Sequence, residues 1–379
     1  MKFMLILFLF PLSSAFCIDT GDGSDGACKA TTHFLVASKR NYNCTTLDID
    51  GPINLFKGAA GTPVVIKVLG NATISFPIDL SGDTGTDGDA STGVAGGSSG
   101  AGGYAGGNST LANGVNGGGL GGGVAGKFVA PDPGSYGGGG GGGSYKTQAA
   151  TQPVAGFGSG SGTNPLSAGS NALAIIGDED AFDSAFIGGQ GGAAGGGGFD
   201  GTASCGSSGG GGGGALHIVT GGDITLDAAI IANGGNGGGF TGPAISGGGG
   251  GGGSGGAVWL QAAGELSITL NGSISAVGGL KGTNLFAIAG GDGGDGGIRL
   301  DDGDGNITID PLASITPSHL SRAFTPTVAT SLPRQYNSSV SCARVAIDDE
   351  QMKNSLLNIL IGIMIASLGY LFVSRKGKI

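Results

Sequence analysis

Short runs of β-branched and aliphatic residues return at a nearly constant interval, separated by tracts of glycine, and this repeat limits what the chain can become. One copy runs Ala215-Leu216-His217-Ile218-Val219, Asp223-Ile224-Thr225-Leu226, Ile230-Ile231-Ala232. The next runs Ala257-Val258-Trp259-Leu260-Gln261, Glu265-Leu266-Ser267-Ile268, Gly272-Ser273-Ile274-Ser275, and starts 42 residues later. A third opens at Gly297-Ile298-Arg299-Leu300, 40 residues after Ala257, and continues through Asn306-Ile307-Thr308-Ile309 and Ala313-Ser314-Ile315-Thr316. A more distant copy lies early, at Val64–Val68, Ala72–Phe76 and Ile78–Ser81.

Within each copy, apolar residues alternate over three to five positions, the period of a strand with one buried face. The links are too short for crossover helices, and the strands are too short to be stable alone. Stacking each three-strand unit on its neighbour covers its apolar face and continues the hydrogen bonds. The expected fold is therefore all-β: a right-handed parallel β-helix, a solenoid with long glycine-rich lateral loops. Alternation places Val65, Ile74, Leu216, Ile218, Ile224, Leu226, Val258, Leu260, Leu266, Ile268, Ile274, Ile298, Leu300, Ile307 and Ile309 in the core.

Glycine occupies 89 of the 379 positions, and charged residues make up only 12%. The tracts Gly137–Gly143, Gly209–Gly214 and Gly247–Gly253 admit two readings. They can be coil-like loops, or extended three-fold helices packed side by side, since no Cβ keeps the backbones apart. Collagen is excluded by 13 prolines and the lack of a strict triplet. A net charge of −10 leaves nucleic acid without an electrostatic footprint.

The two ends read as export and anchoring signals. Lys2 with the apolar run Phe3–Leu12 and small residues before a cut after Ala15 reads as a signal peptide. Leu356–Val373, followed by Arg375, Lys376 and Lys378, is long enough to span a bilayer. The expected organisation is a signal peptide at 1–15, an N-terminal cap segment at 16–62, a glycine-rich β-helix with insertions at 63–315 and a stalk at 316–354. A transmembrane helix at 355–374 and a cytoplasmic tail at 375–379 complete it. The expected location is a single-pass type I membrane protein with an extracytoplasmic body.

Gly255-Gly256-Ala257-Val258-Trp259-Leu260, with Leu266-Ser267-Ile268 and Gly272 to Gly279, resembles the glycine-rich repeat regions of bacterial β-helical surface proteins of the adhesin type. The resemblance covers roughly Gly209–Ser318, and loosely Val64–Gly107. It implies right-handed β-helices on the cell surface that usually carry no catalytic residues. This chain departs from the large adhesins in being short and in ending on an apolar segment instead of an outer-membrane barrel.

Candidate sites are few. Of five cysteines, Cys28 and Cys44 are the nearest well-placed pair for a disulfide in an exported cap, with Cys17–Cys28 as the rival. Asp292 and Asp295 in a Gly-Asp cluster are candidate calcium ligands, against a reading as solvated turns. No other cofactor is expected. Asp223, Glu265 and Asn306 fall at matching points of successive copies, the placement a β-helical polysaccharide enzyme needs, although Asn replaces the third carboxylate. His217 is expected to face solvent, and Trp259 to be a packing or lateral surface residue rather than a sugar platform. Asn43, Asn71, Asn108, Asn271, Asn306 and Asn337 each begin an Asn-x-Ser/Thr acceptor.

Together these features lead to the expectation of a non-catalytic cell-surface or envelope protein, not an enzyme, presenting its solenoid for structural or adhesive contacts. Its expected partners are the membrane, envelope proteins or surface glycans. The alternative is a β-helical polysaccharide-binding or polysaccharide-degrading protein.

Overall fold

The computed structural model describes residues 18–30, 39–53, 55, 60–88, 93–128, 136–145, 186–199, 203–239, 246–283, 288–303 and 305–323. The expected signal peptide, most of the stalk, the apolar segment at 355–374, the basic tail, Cys17, Cys342 and Asn337 lie outside them.

Parallel strands form three stacks. The first comprises the opening of β2 (Asn41–Ile49), then β3 (Val64–Val68), β8 (Ala215–Thr220), β11 (Ala257–Ala262), β14 (Gly297–Asp302) and β17 (Leu320–Ala323). The second comprises the end of β2, then β4 (Ala72–Ile74), β9 (Ile224–Leu226), β12 (Leu266–Ile268) and β15 (Thr308–Ile309). The third comprises β5 (Ile78–Asp79), β10 (Ala229–Ile231), β13 (Ser273–Ser275) and β16 (Ser314–Thr316). β1 (Gly26–Lys29) adds in parallel to β2, while β6 (Gly198–Phe199) and β7 (Ala203–Ser204) form the one antiparallel pair among the described strands.

Register stacks like on like. Val64, Leu216, Val258 and Ile298 form one inward row, and Ile74, Leu226, Ile268 and Ile309 another. These side chains are buried, except that Ile307, Ile309 and Ile315 of the last turn are only partly covered. Val65 is a correction: Val64 and Ile66 point inward and Val65 outward, because the early copy enters the stack one residue out of phase with the alternation expected. The sheet also runs past residue 315, since β17 pairs with β14.

The glycine tracts form a packed lattice. The amides of Ser207, Gly210 and Gly213 donate to the carbonyls of Gly248, Gly251 and Ser254. Those of Ser208, Gly211 and Gly214 donate to Thr86, Asp83 and Leu80, and those of Gly209, Gly212 and Ala215 to Gly107, Tyr104 and Ala101. The partner tract changes at each residue and recurs every third, the period of an extended three-fold helix. The first neighbour runs parallel and the other two antiparallel. Residues 248–256 repeat the scheme with partners near 288–294, 232–238 and 190–196.

Such closeness admits no side chain. A Cβ on Gly211 would stand 2.1 Å from the Ser98 carbonyl oxygen, and one on Gly253 would stand 2.2 Å from that of Gly211. Ordering glycine carries the largest backbone entropy cost of any residue. Pairing of buried amides, each worth roughly 1 kcal/mol net, offsets it.

The expected fold class is thus corrected on two counts. The glycine segments are a buried hydrogen-bonded layer, because backbones lacking Cβ atoms pack closely enough to pair. Among the described residues, moreover, no helix is long and apolar enough to cross a membrane. The transmembrane helix expected at 355–374 lies outside the described residues, and the single-pass type I location, the membrane partner and the cell-surface assignment built on it find no support in the described fold. What stands is an all-β, mostly parallel-stranded, solenoid-like fold that curls around one apolar interior.

Candidate functional site

The outward side of the second stack is polar throughout. Alternation that buries Ile224 and Leu226 turns Thr225 out, and the parallel register repeats the result on each turn. Thr73, Thr225, Ser267 and Thr308 therefore form a hydroxyl row, preceded by Asp48 on β2. Two residues to one side lies the row Asn71, Asp223, Glu265 and Asn306, all exposed. On the other side, just past the strand C-terminal ends, come Ser75, Asp227, Thr269 and Asp310. At the bend that follows, Phe76, Leu270 and Leu312 are 38%, 58% and 79% exposed on three different turns.

Side chains of these rows staple the turns. The Asn71 Oδ1 accepts the Asp223 amide at 3.0 Å, and the Asp223 Oδ1 accepts the Glu265 amide at 2.9 Å. The Thr269 hydroxyl donates to the Asp227 carboxylate, as does the Asn271 Nδ2 at 3.1 Å. These donors hold the Asp227 carboxyl below the usual carboxylate range, the Thr269 bond foremost.

A second polar cluster lies on the outer side of the first stack. His217, Trp259 and Arg299 are neighbours across β8, β11 and β14. The imidazole stacks on the indole, and the Arg299 guanidinium sits 4.6 Å above the Trp259 ring centroid. The Trp259 Nε1 donates to Asp301 at 2.8 Å, and Arg299 pairs with Asp301 at 2.9 Å. Tyr145 and Phe186 cover this flank. The expectation that His217 faces solvent is corrected: it points away from the core but is covered. Burial pushes its pKa down to about 4, against a side-chain hydrogen bond with Gln261 that raises it. Its Nε2 is buried with no hydrogen-bond partner among the described residues.

Asp223, Glu265 and Asn306 are brought into one row, as their spacing suggested. Asp292 and Asp295 lie in the glycine layer, where their Oδ1 atoms accept the amides of Lys281 at 2.8 Å and Gly278 at 3.1 Å. Among the described residues no group of three or more His, Cys, Asp or Glu side chains gathers to hold a metal ion. Cys28 and Cys44 are joined in a disulfide, with their Cα atoms 5.5 Å apart. Sequence reasoning missed the hydroxyl row, although Thr225, Ser267 and Thr308 occupy equivalent places in the three copies and carried that signal. It also missed the Arg299–Asp301–Trp259 contacts, which no motif announces.

Polar side chains gather at strand C-terminal ends: Asp227 after β9, Thr269 after β12, Asp310 after β15, and Asp301 and Asp302 closing β14. The expectation of a chain that is not an enzyme is corrected by this clustering, since a parallel-stranded architecture so furnished is compatible with catalysis as well as with a structural role.

No protein-family model, curated protein or solved structure matches the chain. The resemblance to bacterial β-helical adhesin repeats is corrected accordingly, since it rested on composition and no match accompanies it.

Proposed function

We propose that the outward side of the second stack binds a linear polysaccharide, and that Asp223 and Glu265 act on its glycosidic bonds. The observation that carries the reading is the register. Polar side chains of the same kinds recur on successive turns at one strand spacing, about 4.8 Å, and form parallel rows that a polymer of repeating sugars can follow. Hydroxyl and carboxylate rows suit sugar hydroxyls. The exposed Phe76, Leu270 and Leu312 offer apolar surface to the C–H face of a pyranose ring. The glycine layer and the stapled turns keep the rows in place, as a pre-organised site requires.

Asp223 and Glu265 are adjacent across neighbouring strands. Neighbouring strands are spaced about 4.8 Å apart, and retaining glycosidases use two carboxyl groups about 5 Å apart. Asp223, oriented through its bond to the Glu265 amide, is the nucleophile. It attacks the anomeric carbon while Glu265 gives its proton to the departing oxygen. Glu265 then takes a proton from water, which attacks the same carbon and frees Asp223.

The test is binding and turnover by the full chain. Soluble glucan, chitosan, xylan and polygalacturonate are run in affinity gels, with reducing ends measured in parallel. Retention by at least one polymer, with reducing ends released by the wild type and lost in Asp223→Asn and Glu265→Gln, is expected. Binding without release would remove the catalytic half of the proposal. No retention by any polymer would remove it entirely.

A further inference from the structure

We propose that Asn271 is the residue at which the folded chain loses a side-chain amide to form aspartate and isoaspartate, and that the glycine layer holds the other Asn-Gly pairs out of this reaction. The proposal is independent of the carbohydrate reading. In an Asn-Gly pair the Gly amide nitrogen attacks the Asn Cγ: the N–Cγ bond forms, the Cγ–Nδ2 bond breaks, and the amide proton leaves with Nδ2 as ammonia. Water then opens the resulting imide at either of its two carbonyls. Glycine favours the step because no Cβ hinders the approach and its backbone turns freely. Asn113, Asn116, Asn233, Asn236 and Asn271 each precede a glycine.

Exposure does not separate them, since Asn113, Asn116 and Asn236 are exposed, as Asn271 is. Hydrogen bonding does. The Asn233 Oδ1 accepts the Val277 amide at 2.9 Å while the Gly234 amide donates to the Val277 carbonyl. Asn236 and Gly237 hold Leu280 in the same way. On the antiparallel side, the Asn113 Oδ1 accepts the Phe128 amide and the Gly114 amide donates to Gly126, while Asn116 takes the Ala125 amide and Gly117 donates to Gly123. Closing the imide ring requires rotation about the bonds of the Asn itself, which would pull both groups off the neighbouring tract at once. Asn271 lies on the bend between β12 and β13. Its Nδ2 donates to Asp227 at 3.1 Å, and no amide of a described residue is paired with its Oδ1. The Gly272 amide closes a tight turn onto the Thr269 carbonyl at 2.9 Å. Opening that turn breaks no bond of the glycine layer.

The product changes the outer side of the second stack. The Nδ2 donor to Asp227 is lost and a second carboxylate stands beside the first, so a staple between turns becomes a repulsion. The isoaspartate form also adds a backbone methylene at the bend that leads into β13.

The experiment incubates the full chain in mildly alkaline buffer, folded and in urea, and follows each Asn-Gly pair by peptide mass spectrometry with fragmentation. In urea all the pairs should deamidate. In the folded chain Asn271 should convert first, and Asn113, Asn116, Asn233 and Asn236 should react at least about tenfold more slowly than in urea, as groups that react only from a locally opened state do. Asn271→Gln should remove the early acidic shift on isoelectric focusing of the folded chain. Deamidation of the layer pairs at similar rates in both conditions would overturn the proposal. So would an Asn271 that reacts no faster than they do in the folded chain, or an acidic shift that persists unchanged in Asn271→Gln.

Discussion

Trp259 and His217 stack with ring centroids 4.2 Å apart and planes 11° from parallel, on neighbouring strands of the first stack. The contact puts a titratable ring under cover on the flank of an apolar solenoid, and acid should expose the consequence. The folded-state pKa of His217, about 4, lies below the value near 6.5 of an unfolded chain. Between these values the unfolded state binds the extra proton. The stabilising effect is therefore complete above about pH 6.5 and is lost as pH falls toward 4. The span corresponds to at most about 3 kcal/mol. Urea unfolding of wild type and His217→Gln at pH 7.5 and pH 4.5 should show the wild type losing more stability between the two. Parallel losses would rule out His217 as a source.

The glycine layer predicts intolerance to a single methyl group. Gly211→Ala forces a Cβ to within 2.1 Å of a carbonyl oxygen and should cost about 2–4 kcal/mol, as overpacking of a tight interior does. Gly51→Ala serves as the control, because its nearest contact would be the Ala30 Cβ at an ordinary 3.8 Å. Thermal melts should separate the two variants by several degrees. Matching melts would mean that the tracts are not packed as described.

Ile268 is nearly fully buried between Leu226 and Ile309 in an inward row. Ile268→Asp places a carboxylate there without a partner and should unfold its own turn and the adjacent ones, a loss above about 3 kcal/mol. Limited proteolysis and circular dichroism would report it. Unchanged protease resistance and spectra would refute the stacking.

Both sulfurs of Cys28–Cys44 belong to buried residues, and the bond closes a segment with a sequence separation of 16. A closed loop of that length restrains the unfolded chain by about 3 kcal/mol. Cys28→Ser with Cys44→Ser should lower the melting temperature, and reductant should lower it in the wild type alone. A wild type indifferent to reductant in denaturant would show that the bridge adds nothing.

Strand positions were legible because alternation is a local property: whether Leu216, Ile218 and Leu260 point inward depends only on residues two apart. The row Asp223, Glu265 and Asn306 was legible for the same reason once the copies were superposed. His217 was not, because Phe186, whose ring meets it edge-on, comes from a part of the chain with no repeat. The phase of Val65 was missed because in the early copy Val64, Val65 and Ile66 are all apolar, so alternation cannot choose between two faces.

By itself, the sequence determined that short strands must stack and, outside the early copy, which of their residues face inward. Only the tertiary structure decided what the glycine tracts do. A glycine has no side chain to carry a pattern, so coil and lattice look alike in one dimension. The difference lies in which distant carbonyl each amide reaches, such as Gly211 to Asp83 and Gly210 to Gly251, and that is set when separate tracts come into contact.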